Sequence, residues 1–199
     1  MLLELHCHTA EHSPCSSVRA VDHVRQALEH GMDGLVITDH HHLWSDADLA
    51  DLHRWSGAPG EFVLLSGQEV YSREFHDLLV YGADCSYPVG TKAATIRRAH
   101  PGAALVMAHP FRWGAEPADR TLGHRLLDAV EVINGQQMDG ENAAGLDAYD
   151  RLRLVGTAGS DAHFRGSAGT HPTRFERPIR AMAELTAEIR AGRCRPAGL

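Results

Sequence analysis

The chain has 199 residues, and 43% of them are hydrophobic. This is enough apolar material for one folded domain over residues 1–199 whose core does not depend on disulfides or a structural metal. The formal charge of −7 provides no broad cationic surface, so nucleic acid is disfavoured as a partner, although local positive sites, metals included, would still allow it. No apolar run approaches the ~20 residues of a membrane span, so membrane association is not expected.

Seven short apolar segments recur along the chain and have the length of β-strands. Their apolar runs are nearly continuous, which is typical of parallel strands covered on both faces. In chain order they are 2–6, 34–39, 61–67, 77–82, 103–109, 129–135 and 154–161.

Helix-compatible stretches separate most of these segments. In 17–31, Ser17 is a plausible N-cap, apolar residues recur at three- and four-residue steps, and Gly31 suits a helix end. Further helices are predicted at 45–55, 91–99, 139–152 and 179–191, and the link 67–77 predicts a loop or hairpin. Alternating strands and helices favour an α/β fold, either a barrel or a doubly wound sheet.

The four cysteines are scattered and contain no CxxC pair, and the first residues lack the pattern of a secretory signal. They are Cys7, Cys15, Cys85 and Cys194. A reducing, cytoplasmic location is therefore expected.

Metal-ligand residue types follow the predicted strands. They are His6, His8, Asp39, His40, Glu69, His76, His109, Asp161 and His163. In a parallel barrel the C-terminal ends of all strands meet at one face, so residues far apart in sequence converge there. This distribution favours a barrel with a metal site at that face.

His6 and His8 lie two residues apart, so a strand places both imidazoles on one face and Cys7 on the other. Taken alone, this pair fits a solvent-facing strand end as well as a metal site. Asp161 and His163 repeat the same spacing at the far end of the chain.

His40 is a predicted ligand, and Asp39 beside it is expected to orient the imidazole through a hydrogen bond. Glu69 could bridge two cations with its two oxygens. His109 ends a buried run, and Pro110 after it cannot continue a strand ladder.

His76 precedes its apolar run instead of ending it, so Asp77 is an equal alternative as a ligand. His41 and His42 are expected at the rim. Helix faces and loops are expected to hold the other histidines: His23, His30, His53, His100, His124 and His171. Mixed imidazole and carboxylate donors suit Zn, Mn or Fe, and so many donors predict two or three divalent ions.

The sequence resembles the PHP (polymerase and histidinol phosphatase) superfamily. Five motifs in order carry the resemblance: HCHT at 6–9, ITDH at 37–40, QE at 68–69, AHPFR at 108–112 and GSDAH at 159–163. It implies a compact stand-alone enzyme with a distorted seven-stranded (β/α)7 TIM-like barrel and a trinuclear site. It also implies one metal on His6, His8, Glu69 and Asp161, a second on Glu69, His109 and His76, and a third on His40 and His163.

The third metal is the point at which this chain departs from the family. Many members supply it with an aspartate from an HTxxSDG stretch, but residues 8–16 read HTAEHSPCS and contain no aspartate. Glu11 is the predicted substitute, and His12 is the alternative.

The resulting hypothesis is a metal-dependent phosphoesterase that uses a metal-bridged hydroxide on a small phosphorylated metabolite or nucleotide, most simply a phosphomonoester. Asp39 and His163 are the predicted catalytic residues, and Arg112 and Arg165 are predicted to clamp phosphate oxygens.

Three alternatives stay open: a phosphodiesterase or exonuclease-type activity, an amidohydrolase, and a catalytically silent binding module. Amidohydrolases usually carry a lysine in the middle of the barrel, whereas the only lysine here, Lys92, lies at a predicted helix start. In a silent module, some of the metal-ligand residues would be expected to be replaced by other residue types. The sequence leaves the oligomeric state open.

Overall fold

The computed structural model describes residues 1–199 and contains ten β-strands and six α-helices. The strands are β1 Leu2–Glu4, β2 Gly34–Ile37, β3 Val63–Ser66, β4 Gln68–Ser72, β5 His76–Tyr81, β6 Ala104–Met107, β7 Ala129–Asn134, β8 Gly156–Gly159, β9 Thr173–Phe175 and β10 Cys194–Pro196. The helices are α1 Ala20–Glu29, α2 Asp46–Ser56, α3 Ala93–Ala99, α4 Asp119–Leu122, α5 Asp139–Leu152 and α6 Met182–Arg190, with a 3-10 turn at Arg112–Gly114.

The predicted elements and the observed ones correspond closely. Each of the seven apolar segments contains a strand, and each of the five predicted helices is present. Helix α1 begins only at Ala20, and its N-cap residue is Arg19, not Ser17. The link 67–77 forms most of an antiparallel hairpin between β4 and β5.

The predicted closed barrel is wrong, although the fold is of the α/β class. The strands form two mixed five-stranded sheets, in the orders β10-β9-β1-β2-β3 and β4-β5-β6-β7-β8. Strand β1 pairs with β9 in antiparallel fashion, so its edge is not available for a ladder with β8, and β5 runs antiparallel to both of its neighbours.

Single-residue bridges connect the two sheets just beyond the strand ends. Cys7 pairs with Ala162, and His40 pairs with Glu69. These contacts bring the segments that follow β1, β2 and β8 close to β4, which is where the metal-ligand types lie.

Apolar packing between the sheets and helices fixes this end of the molecule. Tyr81 is fully buried, and its hydroxyl donates a hydrogen bond to the carbonyl oxygen of Leu5 at 2.9 Å. Val24 and Ala27 of α1 pack in the cluster that contains Cys7, as the spacing of the helix predicts. None of the helices combines the length and the hydrophobicity that crossing a lipid bilayer requires.

Candidate metal centre

Seven of the predicted ligands converge at the junction of the two sheets: His6, His8, His40, Glu69, His109, Asp161 and His163. The Nε2 atoms of His6 and His8 lie 3.1 Å apart. The Asp161 Oδ1 atom lies 3.3 Å from Nε2 of His8 and 3.5 Å from Nε2 of His6. Residues separated by more than 150 positions therefore share one site.

Glu69 lies at the centre of this cluster and presents its two oxygens to different partners. Its Oε1 atom lies 2.9 Å from Nε2 of His109. Its Oε2 atom lies 3.1 Å from Nε2 of His8 and 3.2 Å from Nδ1 of His40. A carboxylate in this arrangement can serve two cations, one on each oxygen.

The donors form three groups in which all ligand atoms lie within 4.8 Å of one another. The groups are His6 with His8 and Asp161, His6 with Glu69 and His109, and His8 with Cys15, His40 and His163. The first two are buried, and the third is at the opening, where the His40 side chain is 38% exposed. Five imidazoles and two carboxylates held at these distances suit divalent Zn, Mn or Fe.

The two carboxylates stay ionised despite their burial. Burial raises the pKa of a carboxyl, but the nearby His6 and a hydrogen bond from His109 hold the pKa of Glu69 well below its usual range. His6 and a hydrogen bond from His8 likewise hold the pKa of Asp161 well below its usual range. Both side chains are therefore available as anionic ligands at neutral pH.

The pKa values of His8, His40 and His163 shift in different directions. Burial favours the neutral ring, but hydrogen bonds to Asp161 and Glu69 raise the pKa of His8 to about 9. At the opening, burial lowers the pKa of His40 to about 4 and also lowers the pKa of His163. His40 and His163 are thus neutral and free of a competing proton near pH 7.

Two of these ligands have a backbone conformation that residues other than glycine rarely adopt. His109 follows β6 with φ of 29°, and Asp161 follows β8 with φ of 50°. Such conformations cost on the order of 1–3 kcal/mol each and cluster at functional sites. Here they turn the side chains at the strand ends into the cluster.

A further layer of side chains holds the ligands in place, and sequence reasoning missed most of it. Glu131 contacts Nδ1 of His6 and accepts a hydrogen bond from the backbone N–H of His109, both at 2.9 Å. Its sequence signal is a glutamate in the middle of the apolar run AVEVING. Glu4 accepts hydrogen bonds from the backbone N–H groups of His6 and Ser160.

Asp39 does not orient the His40 ring directly. Its carboxylate accepts hydrogen bonds from Thr9, Ser13 and the indole of Trp44. The Ser13 hydroxyl in turn accepts a hydrogen bond from the backbone N–H of His40 at 3.1 Å. Asp39 therefore fastens the segment after His8, and acts on His40 through Ser13.

A family model described as PHP-associated matches residues 140–194, the part of the chain that carries Asp161 and His163. This match lies in the C-terminal part of the chain and agrees with the resemblance that the sequence motifs carry. No curated protein has a significantly similar sequence.

Three solved structures share the fold. PsfC from Pseudomonas syringae PB-5123 is 19% identical, with a TM-score of 0.68 over 92% of this chain and 86% of its own. A candidate metal-dependent phosphoesterase from Bifidobacterium adolescentis is 16% identical, with a TM-score of 0.58 over 82% of this chain and 88% of its own. An amidohydrolase from Chromobacterium violaceum, with bound sulfate and no metal, is 16% identical, with a TM-score of 0.59 over 94% of this chain and 96% of its own.

The two candidate ligands of the third metal lie outside the cluster. The Glu11 carboxylate accepts a hydrogen bond from the backbone N–H of Ala20 at 3.0 Å and caps the start of α1. His12, the alternative, stacks on His42 with ring centroids 3.6 Å apart.

His76 also lies outside the cluster. His76 is exposed at the hairpin and contacts the edge of the Tyr71 ring. In the hairpin, Asp77 lies opposite Tyr71, which is two residues from Glu69 on the same strand. Asp77 therefore shares the face of the sheet with Glu69, and His76 points to the other face. Asp77 is the better candidate of the two.

The two arginines predicted to bind phosphate differ in position. Arg112 lies at the cluster, where its guanidinium donates hydrogen bonds to the carboxylate of Asp161 and to the side-chain amide oxygen of Asn134. Its Nε is buried without a hydrogen-bond partner. Arg165 is exposed on the loop after His163. Only Arg112 is held at the site.

Proposed function

We propose that this protein is a metal-dependent hydrolase of phosphate esters, and that its substrates are phosphomonoesters of small molecules. The observation that carries the proposal is the position of Glu69, whose two oxygens face different groups of imidazole ligands. This donor set fits two or three divalent cations of the Zn, Mn or Fe type.

The residues divide among the cations as follows. His6, His8 and Asp161 would hold the first cation, and Glu69 with His109 would hold the second. His40 and His163 would hold a third at the opening. When bound, such cations lower the pKa of water towards neutrality and offset the charge of phosphoryl oxygens.

The chain's own groups determine how a phosphate ester would bind. Arg112 would provide charge-assisted hydrogen bonds to a phosphoryl oxygen at the edge of the cluster. In the reaction, the oxygen of water bonds to phosphorus and the bond to the ester oxygen breaks. The proton released by water ends on the alcohol. The opening beside His40 allows water to enter and the alcohol to leave.

The same opening supports a small substrate. The ligands other than His40 and His163 are almost fully buried, so a phosphoryl group would have to approach from the side of these two residues. The formal charge of −7 disfavours a long polyanion such as an oligonucleotide. A terminal phosphate on a small molecule satisfies both conditions.

Elemental analysis followed by phosphate-release assays tests the proposal. The purified protein is loaded with Mn, Zn or Fe and assayed against phosphomonoesters, phosphodiesters and amides. We expect phosphate release from monoesters, reduced by roughly 100-fold or more in Asp161→Asn. Asp147→Asn, on the exposed face of α5, is the matched control.

Two outcomes would contradict the proposal. Tightly bound metal with no phosphate release from any ester would exclude a phosphoesterase. Release from diesters alone would overturn the assignment of monoesters as substrates.

A further inference from the structure

We propose that Cys15 binds the third cation as a thiolate, together with His40 and His163. This inference rests on the proposed metal centre and deepens it, because neither Glu11 nor His12 reaches that position. Cys15, His40 and His163 belong to one group with His8 in which all possible ligand atoms lie within 4.8 Å of one another.

The contact between Cys15 and His163 is close. The Cys15 Sγ atom lies 3.2 Å from Nε2 of His163. Metal–sulfur bonds of about 2.3 Å and metal–nitrogen bonds of about 2.0 Å at a tetrahedral angle give a sulfur–nitrogen separation of about 3.5 Å. A shift of a few tenths of an ångström would therefore let one cation bind both atoms.

The segment that carries Cys15 is fastened on both sides. On one side, the Ser13 hydroxyl donates a hydrogen bond to Asp39 at 2.6 Å. On the other side, the carbonyl oxygen of His163 accepts hydrogen bonds from the backbone N–H and the hydroxyl of Ser17, at 3.1 and 3.2 Å. The loop is thus tied to both histidine-bearing segments, which holds the thiol beside the His163 ring.

The remaining histidine of the group has another partner. Nε2 of His8 faces Nε2 of His6 at 3.1 Å and Glu69 Oε2 at the same distance, so His8 would serve the buried cation. The third cation then depends on Cys15 to complete a donor set that is otherwise two imidazoles. Because thiolate and imidazole donors favour Zn or Fe over Mn and Mg, this site should select the softer ions.

Cobalt titration of the metal-stripped protein tests this inference without an activity assay. A thiolate bound to Co²⁺ gives a sulfur-to-metal charge-transfer absorption in the near ultraviolet. We expect this band in the wild type and in Cys85→Ala, which removes the other exposed thiol. We expect no band in Cys15→Ser, and in Cys15→Asp we expect retained cobalt stoichiometry without the band.

Alkylation of the wild-type protein provides a second readout that does not depend on how a variant folds. A metal-bound thiolate reacts slowly, so zinc should slow carboxymethylation of Cys15 by about tenfold or more and leave Cys85 unaffected. Peptide mass spectrometry distinguishes the two sites.

Three outcomes would overturn the inference. A charge-transfer band that persists in Cys15→Ser excludes Cys15 as its source. Cobalt bound without any band, or alkylation of Cys15 unchanged by zinc, excludes thiolate ligation and leaves the buried cation sites standing. No cobalt binding at all would overturn the metal centre as well.

Discussion

Glu131 and His6 are joined by a buried contact of 2.9 Å between Oε1 and Nδ1. A carboxylate can only accept, so Nδ1 carries the hydrogen and Nε2 faces the other ligands of the cluster. Glu131 also holds the backbone N–H of His109. One side chain therefore orients two ligands of different cations.

Glu131→Gln is expected to weaken cation binding by about 10- to 100-fold, because the amide is a poorer partner for the His6 ring. Competition with a chromophoric chelator measures this change. Glu188→Gln, which weakens a contact with Arg193 outside the cluster, should leave the affinity unchanged. Equal affinity in Glu131→Gln and the wild type would show that the contact does not orient a ligand.

The two arginines predicted to bind phosphate should now behave differently. Arg112→Ala should lower kcat/KM for a phosphomonoester by about 10- to 100-fold, since a hydrogen bond to a charged group contributes about 1.5–3 kcal/mol. Its metal content should not fall, because Asp161 keeps its other partners. Arg165→Ala, on the exposed loop, is expected to have little effect. Comparable losses in both variants would contradict this assignment.

The sequence motifs were sufficient to find most of the candidate cluster, because its ligands lie at or just beyond strand ends. Glu131 carried a weaker signal, a charge inside an apolar strand. Cys15 carried none: its approach to His163 depends on a loop tied down by hydrogen bonds from Ser13 and Ser17, which spacing along the chain does not encode.

The architecture was harder to predict than the strands. Apolar runs identify β1 and β8, but the choice of a neighbour for β1 depends on backbone hydrogen bonds that have no residue-type signature. Strands β9 and β10 contain three residues each, too few for a periodic pattern. Strand β9 occupies the edge of β1 that a closed barrel would have needed for β8.

The burial of His23 predicts that the protein loses stability at acidic pH. The side chain is fully buried in α1, and neither ring nitrogen has a hydrogen-bond partner. Burial lowers the pKa of His23 to about 4, so below its usual value of 6.5 the unfolded chain binds a proton that the folded chain does not. This difference in proton binding reduces the free energy of unfolding as the pH falls from 6.5 to 4.

His23→Leu should remove the pH dependence that His23 causes and raise the free energy of unfolding at pH 5 by on the order of 1–3 kcal/mol relative to the wild type. Urea denaturation at pH 5 and at pH 8 measures the change. The same substitution at His53, on α2 and partly exposed, should not alter the pH dependence in this way. Parallel pH profiles for His23→Leu and the wild type would contradict the prediction.

His8 affects the pH dependence of stability in the opposite direction to His23. Its proton also competes with a bound cation. Hydrogen bonds to Asp161 and Glu69 raise the pKa of His8 to about 9, against a usual value of 6.5. In the metal-stripped protein the resulting stabilisation is complete below pH 6.5 and is lost as the pH rises through about 9. A cation needs the neutral ring, so its binding must displace this proton.

The logarithm of the apparent cation affinity should therefore rise with pH between 6.5 and 9, with a slope of about one per proton released, and should flatten above that range. Calorimetric titration in buffers of different ionisation enthalpy counts the protons directly. His8→Asn, which retains a polar side chain but cannot be protonated, should lower both the affinity and the slope. A wild-type affinity that does not vary over this range would show that no proton has to leave His8 before the cation binds.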